Sequence, residues 1–330
     1  MRDNNFWKKL KASGKPILAL APMAGFTDSA FRRICKGYGA DVLYSEMVSA
    51  TALYYSDRIG TQKKGKNSKN PTIELMDFKK RAEKYYVVQL FGSKPEHFAA
   101  AAKLITAKIK PDGIDINFGC PVSKIIKQGA GADLMKNLAQ SRAVIEAVLA
   151  ETNLPVSIKI RAKSGEMGAI EFLKNISDLN IAAVMIHGRT LSQGFAGKPD
   201  FKLIKEVRKY FPGVVIANGG IIDLASAQEA LKESGADGLG LARGILGRPW
   251  LFKEIKKNKQ LDLKISQIFK LIISHATRVS KIKGKNAMIE LRKHLVWYVQ
   301  GLEGASKMRE KLVTVNNLQE LKKIIKEYKK

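Results

Sequence analysis

Residues 214–244 read VVIANGGIIDLASAQEALKESGADGLGLARG and contain one complete repeat of the fold. The β-branched run Val214-Val215-Ile216 stops at Ala217-Asn218-Gly219-Gly220. Residues 225–234 then carry apolar side chains at three-to-four spacing, and a second short run, Gly238-Leu239-Gly240-Leu241, stops at Ala242-Arg243-Gly244. A short apolar run, a turn, an amphipathic helix and another short run make up a crossover between parallel strands. Toward the N-terminus the same rhythm predicts strands at 17–21, 42–44, 87–90, 114–116, 156–160 and 184–186, with helical patterns at 95–108, 141–152, 169–179 and 201–210. Eight strands with helical crossovers in roughly 230 to 240 residues match a (β/α)8 TIM barrel. A doubly wound open sheet is the alternative, but no GxGxxG follows the first strand, so the barrel is preferred.

Beyond Arg248-Pro249-Trp250 the strand pattern ends and only helical periodicity is left, at 265–280, 287–300 and 318–328. The expected organisation is therefore an α/β barrel over residues 1–250 and a smaller all-helical C-terminal domain over 251–330. The eight-strand unit is expected to close its own core, so that a chain ending near Phe252 keeps its barrel and cofactor. Residues 55–77, polar and rich in Lys and Asn, are too long for an ordinary connection and predict an insertion over the barrel mouth.

With 45% hydrophobic and 27% charged residues, the 330-residue chain has the composition of a folded protein and not of a disordered basic tail. Residues 1–14 lack the apolar centre of a secretory signal, and no run approaches the ~20 apolar residues of a membrane span, so a cytoplasmic setting without membrane contact is expected. Two cysteines, Cys35 and Cys120, cannot supply a Cys-based metal site, and no metal is expected. The net charge is +28, and it is unevenly spread: residues 251–330 hold 20 basic and 7 acidic side chains, a net of +13 in 80 residues against +15 in the other 250. A polycation of that density in a helical domain points to a nucleic-acid backbone.

In a TIM barrel the chemistry sits where the strands end. Those positions read Ala21-Pro22-Met23-Ala24-Gly25-Phe26-Thr27-Asp28, Ser45-Glu46-Met47, Gln89-Leu90-Phe91-Gly92, Asn117-Phe118-Gly119-Cys120-Pro121, Lys159 to Arg161, His187-Gly188-Arg189-Thr190, Asn218-Gly219-Gly220 and Ala242-Arg243-Gly244. Gly219, Gly220 and Gly244 let backbone N–H groups approach a phosphate, and Arg243 adds charge-assisted donors. Pro22-Met23-Ala24 offers a flat apolar shelf for a planar ring. A phosphate grip opposite a ring shelf suggests flavin mononucleotide (FMN). Lys159 and Arg161 share the inward face of an otherwise apolar strand, where a cation needs an anion. Beside a flavin, Lys159 offsets the negative charge of the reduced N1/O2 edge, and Gln89 suits the pyrimidine end. His187 is open between capping a neighbouring loop and touching phosphate or substrate. Cys35 fits a core filler, whereas Cys120, on a Gly-Cys-Pro turn at the mouth and mostly protonated at neutral pH, suits a proton donor.

Taken together in this order, Ala-Pro-Met-Ala-Gly-Phe-Thr-Asp, Ser-Glu-Met, Gln-Leu-Phe-Gly, Asn-Phe-Gly-Cys-Pro, Ile-Lys-Ile-Arg, His-Gly-Arg-Thr, Asn-Gly-Gly-Ile and Ala-Arg-Gly resemble the tRNA-dihydrouridine synthase family. Residues 248–252 (RPWLF), with Arg292-Lys293-His294 and Trp297-Tyr298, look most like its bacterial B-type members. The resemblance implies a flavin enzyme that reduces tRNA uridine to 5,6-dihydrouridine with NADPH, hydride passing from FMN N5 to C6 and a proton from Cys120 to C5; separately, a monomer is expected. It implies that Pro22, Met23, Ala24, Gln89, Lys159, His187, Asn218, Gly219, Gly220, Ala242 and Arg243 hold FMN, and that Glu46, Asn117, Arg161 and Arg189 serve the substrate. Two competing functions are weaker. A dihydroorotate- or dihydropyrimidine-type dehydrogenase acting on a free base has no need of a polycationic tail, and an RNA-binding barrel without catalysis has no need of Cys120 and Lys159.

Overall fold

Strand–helix–strand crossovers fix parallel pairing between neighbours in the chain. A computed structural model describes residues 5–59 and 71–328, and within them the eight expected strands close one parallel barrel. They are β1 (Ile17–Leu20), β2 (Val42–Ser49), β3 (Tyr86–Phe91), β4 (Gly113–Phe118), β5 (Val156–Arg161), β6 (Ala183–His187), β7 (Val214–Asn218) and β8 (Gly238–Leu241). Each pairs with its neighbours in the chain, and β8 closes on β1 in the register Ile17↔Gly238 to Leu20↔Leu241.

Helix α1 (Phe6–Lys11) precedes the barrel, and α2 (Ser29–Gly37), α3 (Ala50–Ile59), α4 (Pro71–Glu74), α5 (Pro95–Leu104), α6 (Ser123–Ile126), α7 (Leu138–Glu151), α8 (Ala169–Asn175), α9 (Phe201–Val207) and α10 (Leu224–Ser234) lie in its connections. After the last strand come α11 (Leu251–Lys257), α12 (Ile265–Lys283), α13 (Ala287–Tyr298), α14 (Ala305–Leu312) and α15 (Leu318–Tyr328). Asp28, Asn137, Asp200 and Asp223 start α2, α7, α9 and α10 by accepting first-turn backbone N–H groups. No helix among the described residues is long and apolar enough to cross a membrane.

Local departures from the sequence reading have local causes. The pattern expected as one helix over 95–108 ends at Leu104 and continues as a π turn, Ile105–Ile109, because Lys110 precedes Pro111 and leaves the helical region with φ 57°. Strand β2 runs on past Tyr44 to Ser49 through a register shift between Tyr44 and Met47. Helix α14 was hidden by its composition, since only Met308 and Leu312 are buried in it. Helix α3 carries the chain to Ile59, so the insertion expected from Tyr55 begins later, and its Lys-rich part at 63–69 lies outside the described residues.

Inside the barrel the side chains change character from floor to mouth. The floor is apolar: Ile17, Val42, Val87, Ala183 and Val214 pack with Phe6 and Trp7 of α1, which plugs that end. Higher up the register brings Gln89, Asp115 and Ser157 side by side, then Asn117 beside Lys159, then Arg161, His187 and Asn218 at the mouth.

Helices α12 to α15 enclose a second core built on Ile272, Leu291, Leu295, Leu312 and Leu321, and this core also takes in Ala30 of α2 and Trp250. Leu251 and Phe252 belong instead to the core between barrel and helices, so packing interdigitates around the expected 250/251 division. Phe31 of α2 faces His294 at 4.6 Å and stacks on His275 at 5.7 Å, and Lys283 pairs with Asp28 at 3.1 Å. A chain ending near Phe252 would uncover Phe31 and Trp250, so the helical region also completes the barrel's outer packing.

Arg32 anchors the loop after β1. Its Nε donates to Glu83 at 2.6 Å, while Nη1 and Nη2 donate to the carbonyls of Thr27 and Asp77, all within a fully buried ion pair. Arg32→Met strands the Glu83 carboxylate and is expected to cost about 3–5 kcal/mol in denaturant unfolding, most of it recovered in the double variant Arg32→Met/Glu83→Leu.

Candidate active site

The polar upper layers end in a cavity of about 580 Å³ at the C-terminal ends of the strands. Pro22, Met23, Ala24, Gln89, Asn117, Cys120, Lys159, Arg161, His187, Arg189, Asn218, Gly219, Gly220, Ala242 and Arg243 all line it. Glu46 is the exception among the expected residues. Its carboxylate accepts the backbone N–H of Gly25, one step behind the cavity wall, and so braces the loop that carries Met23 and Ala24. The far side of that loop is tied by Thr27, whose Oγ1 accepts from Met23 N at 3.2 Å.

The cavity is rich in cations. Lys159 Nζ donates to Asn218 Oδ1 at 3.3 Å, and Asn218 Nδ2 donates in turn to the carbonyl of Gly240 at 2.6 Å. Burial, then the like charge of Arg161, push the Lys159 ammonium down to about 8, although Asp115 and Cys120 oppose the shift. Arg161, expected to serve the substrate, also has a structural part. Nε is bound to Gly119 O at 2.8 Å, and Nη1 to Thr190 O at 2.9 Å and Gly194 O at 3.2 Å, so most of the guanidinium ties two loops together. Arg189 donates through Nε to Gly197 O at 2.9 Å, and its Nη1 lies 3.5 Å from His187 Nε2. Burial and the charges of Lys159, Arg161, Arg189 and Arg243 hold His187 neutral, and the donor-only Arg189 guanidinium beside it favours the tautomer whose Nε2 accepts.

Gly219 has φ 108°, and a Cβ there would sit 2.6 Å from the His187 ring, so both backbone and space demand glycine. Arg243 lies over the Phe195 ring, with its guanidinium carbon 3.9 Å from the centroid. Phe195 is 56% exposed, and with Val122 at 50% and Ile222 at 60% it forms an apolar rim around the cavity.

Cys120 is held by its backbone. Asn117 Oδ1 accepts from Gly119 N at 3.0 Å and from Cys120 N at 2.9 Å. Burial pushes the thiol above its ordinary value, against the backbone N–H of Val122 and the charges of Lys159 and Arg161, so at neutral pH it carries its proton. Cys35 is fully buried. Among the described residues no group of three or more His, Cys, Asp or Glu is arranged to hold a metal.

Two residues, one beneath the cavity and one in its wall, went unread as site residues in the sequence. Asp115 had a usable signal, since it precedes Asn117 by two in Gly113-Ile114-Asp115-Ile116-Asn117 and so shares its inward face. Trp297 had none, because it reaches the cavity only when α13 packs over Gly247, where a Cβ would lie 2.2 Å from the Trp297 carbonyl oxygen.

Residues 19–330 match the family model for "Dihydrouridine synthase (Dus)". The chain is 33% identical over 313 residues to the "Probable tRNA-dihydrouridine synthase 1" of Synechocystis sp., which spans 92% of this chain and 84% of that protein. It is 31% identical over 293 residues to the "tRNA-dihydrouridine synthase B" of Shewanella oneidensis, covering 86% and 87% of the two chains. Among solved structures, an old yellow enzyme homologue from Zymomonas mobilis superposes with a TM-score of 0.52 at 14% identity, over 76% of this chain and 91% of its own. Histamine dehydrogenase from Rhizobium sp. gives 0.53 at 14% identity, over 85% of this chain and 49% of its own. These two likenesses are in fold.

The two thiols differ in access, which an alkylating reagent reads directly. One equivalent of iodoacetamide is expected to modify Cys120 and spare Cys35. The rate should still be climbing above pH ~8.5, the ordinary thiol value, because burial holds the proton on.

Proposed function

The chain belongs to the dihydrouridine synthase family, and on that premise we propose that it reduces specific uridines of tRNA to 5,6-dihydrouridine, with a bound FMN recharged by NADPH. One observation carries this reading: a protonated thiol, a half-buried lysine and a glycine-arginine cradle, from four different strand ends, line one cavity. The cavity also suits the cofactor on its own chemistry. Lys159, Arg189 and Arg243 gather positive charge for a phosphate and for an electron-accepting ring edge, Gly219 and Gly220 expose backbone, and Pro22-Met23-Ala24 supply the apolar wall. Pro22, Met23, Ala24, Gln89, Lys159, His187, Asn218, Gly219, Gly220, Ala242 and Arg243 would hold FMN.

When bound, the flavin supplies hydride for C6 of the uracil. The chain's residues do the rest. Cys120 keeps its proton until C5 takes it, and the thiolate left behind sits among the charges of Lys159 and Arg161. Asn117 and the remaining donor, Nη2, of Arg161 orient the uracil, together with Arg189, while Glu46 holds the loop opposite. Lys159 lends the positive charge that favours electron uptake.

A uridine inside a folded tRNA reaches such a cavity only after leaving its stack. The apolar rim of Val122, Phe195 and Ile222 suits bases, and the +13 of residues 251–330 suits phosphates. We accordingly assign catalysis to residues 1–250 and tRNA binding to 251–330, in a monomeric cytoplasmic enzyme.

Mass spectrometry of tRNA treated with the protein and NADPH should show uridine gaining two hydrogens, and free uracil should be left unchanged. Cys120→Ala is expected to keep flavin and tRNA binding but to slow single-turnover oxidation of the pre-reduced enzyme by tRNA by about 10²-fold or more. Normal turnover in that variant would remove Cys120 as the acid.

Lys159→Met should lower the flavin midpoint potential and weaken FMN binding. In the unmodified protein the cation is lost as pH rises through about 8, so the potential should fall additionally across that pH, and this break should be absent from the variant. Potentiometric titration from pH 6 to 10 reads both effects, in a window of about two units either side of the transition.

A further inference from the structure

Beneath the cavity runs a closed chain of buried polar groups. Ser157 Oγ donates to Asp115 Oδ1 at 2.6 Å, Gln89 Nε2 donates to Asp115 Oδ2 at 2.7 Å, and Asn117 Nδ2 donates to Gln89 Oε1 at 2.9 Å. Asn117 Oδ1 then accepts from Gly119 N and Cys120 N. Asp115 is fully buried, with Gln89 and Asn117 1% and 6% exposed.

We propose that Asp115 is a positioning residue: as the acceptor-only end of this chain it decides which way the Gln89 and Asn117 amides face, and thereby holds the Cys120 loop. An amide can present either its oxygen or its nitrogen, but the two ends leave no choice. The backbone amides of Gly119 and Cys120 only donate, so Asn117 must turn its oxygen to them and its nitrogen to Gln89. Gln89 must then answer with oxygen, which leaves its nitrogen for Asp115. Burial raises the Asp115 carboxyl to about 6, against the bonds from Ser157 and Gln89 and the charge of Lys159, so at neutral pH it is ionised and accepts at both oxygens. Reversing any one amide would put two donors or two acceptors face to face in a dry interior.

The catalytic meaning of this chain rests on the reading of Cys120 as proton donor and Gln89 as a ring contact, but the chain itself is tested on the loop. The probe is the rate at which iodoacetamide modifies Cys120 in the full-length, FMN-loaded protein, with buried Cys35 as internal reference. Asp115→Asn keeps an oxygen for Gln89 and turns its NH2 to the Ser157 hydroxyl, so the rate should stay within about twofold of the unmodified protein. Asp115→Leu has no acceptor, and the freed loop should react about tenfold faster, with single-turnover oxidation by tRNA slowed by a similar factor. An Asn variant as damaged as the Leu variant would show that charge matters and polarity does not, and would overturn the proposal, as would a Leu variant with unchanged alkylation. If Asp115→Leu does not fold, two isosteric changes decide. Asn117→Asp places acceptors at both ends of the chain and should speed alkylation about tenfold, and adding Asp115→Asn, which permits the reversed polarity, should restore it. Absence of restoration would also overturn the proposal. Failure to reduce tRNA would sink the functional reading and leave the alkylation result standing.

Discussion

Closing eight parallel strands on themselves turns every second side chain into a confined interior, and the rest of the molecule answers to that confinement. The floor accepts it with apolar residues and a helical plug that buries Trp7 completely. The mouth does the opposite, holding Lys159, Arg161, Arg189 and Arg243 around one space. Such an excess of positive charge is stable only where each group is tied down or faces an anion. Arg161 is tied to three backbone carbonyls. Lys159 has only the Asn218 amide oxygen as hydrogen-bond partner among the described residues, with Asp115 supplying a favourable charge. The cavity is thus built for a negatively charged occupant before any chemistry is considered.

The same economy governs the outer face. Helix α2 carries Asp28 and Arg32 at its start, one paired outward to Lys283 of α12 and the other inward to Glu83. Through the Asp28–Lys283 pair, and through Phe31 against His275 and His294, the helical region is seated on the loop that forms the cavity's apolar wall. Burial keeps both histidines below their ordinary value and therefore neutral, which lets them pack as rings against Phe31. Positioning of the wall and docking of the helical region are thus one structural problem, solved on one short helix.

What the sequence made legible follows from where its information is local. All eight strands were readable because β-branched runs and turn residues announce them within a few positions, and the mouth residues were readable because barrel geometry places strand ends on one rim. Asp115 was missed although its inward register could be counted from Asn117, because attention to strand ends overlooks the layer beneath. Trp297 and the brace from Glu46 to Gly25 depend on contacts between segments far apart in the chain. The joint packing of barrel and helical region was hidden for a similar reason: nothing in a helical period says that Ala30 and Trp250 share a core with α12 to α15.

Trp297 also has an optical consequence. The chain has three tryptophans, and Trp7 and Trp250 are buried away from the cavity lining, while Trp297 belongs to it. If the chamber holds the proposed flavin, an indole in its wall lies within range for its excited state to be drained by the ring. Because Trp297 is borne by the helical region and the chamber by the barrel, its emission would register occupancy and any shift of one body against the other at once. With that cofactor bound, the fold would carry a native fluorescent gauge at the seam between its two parts.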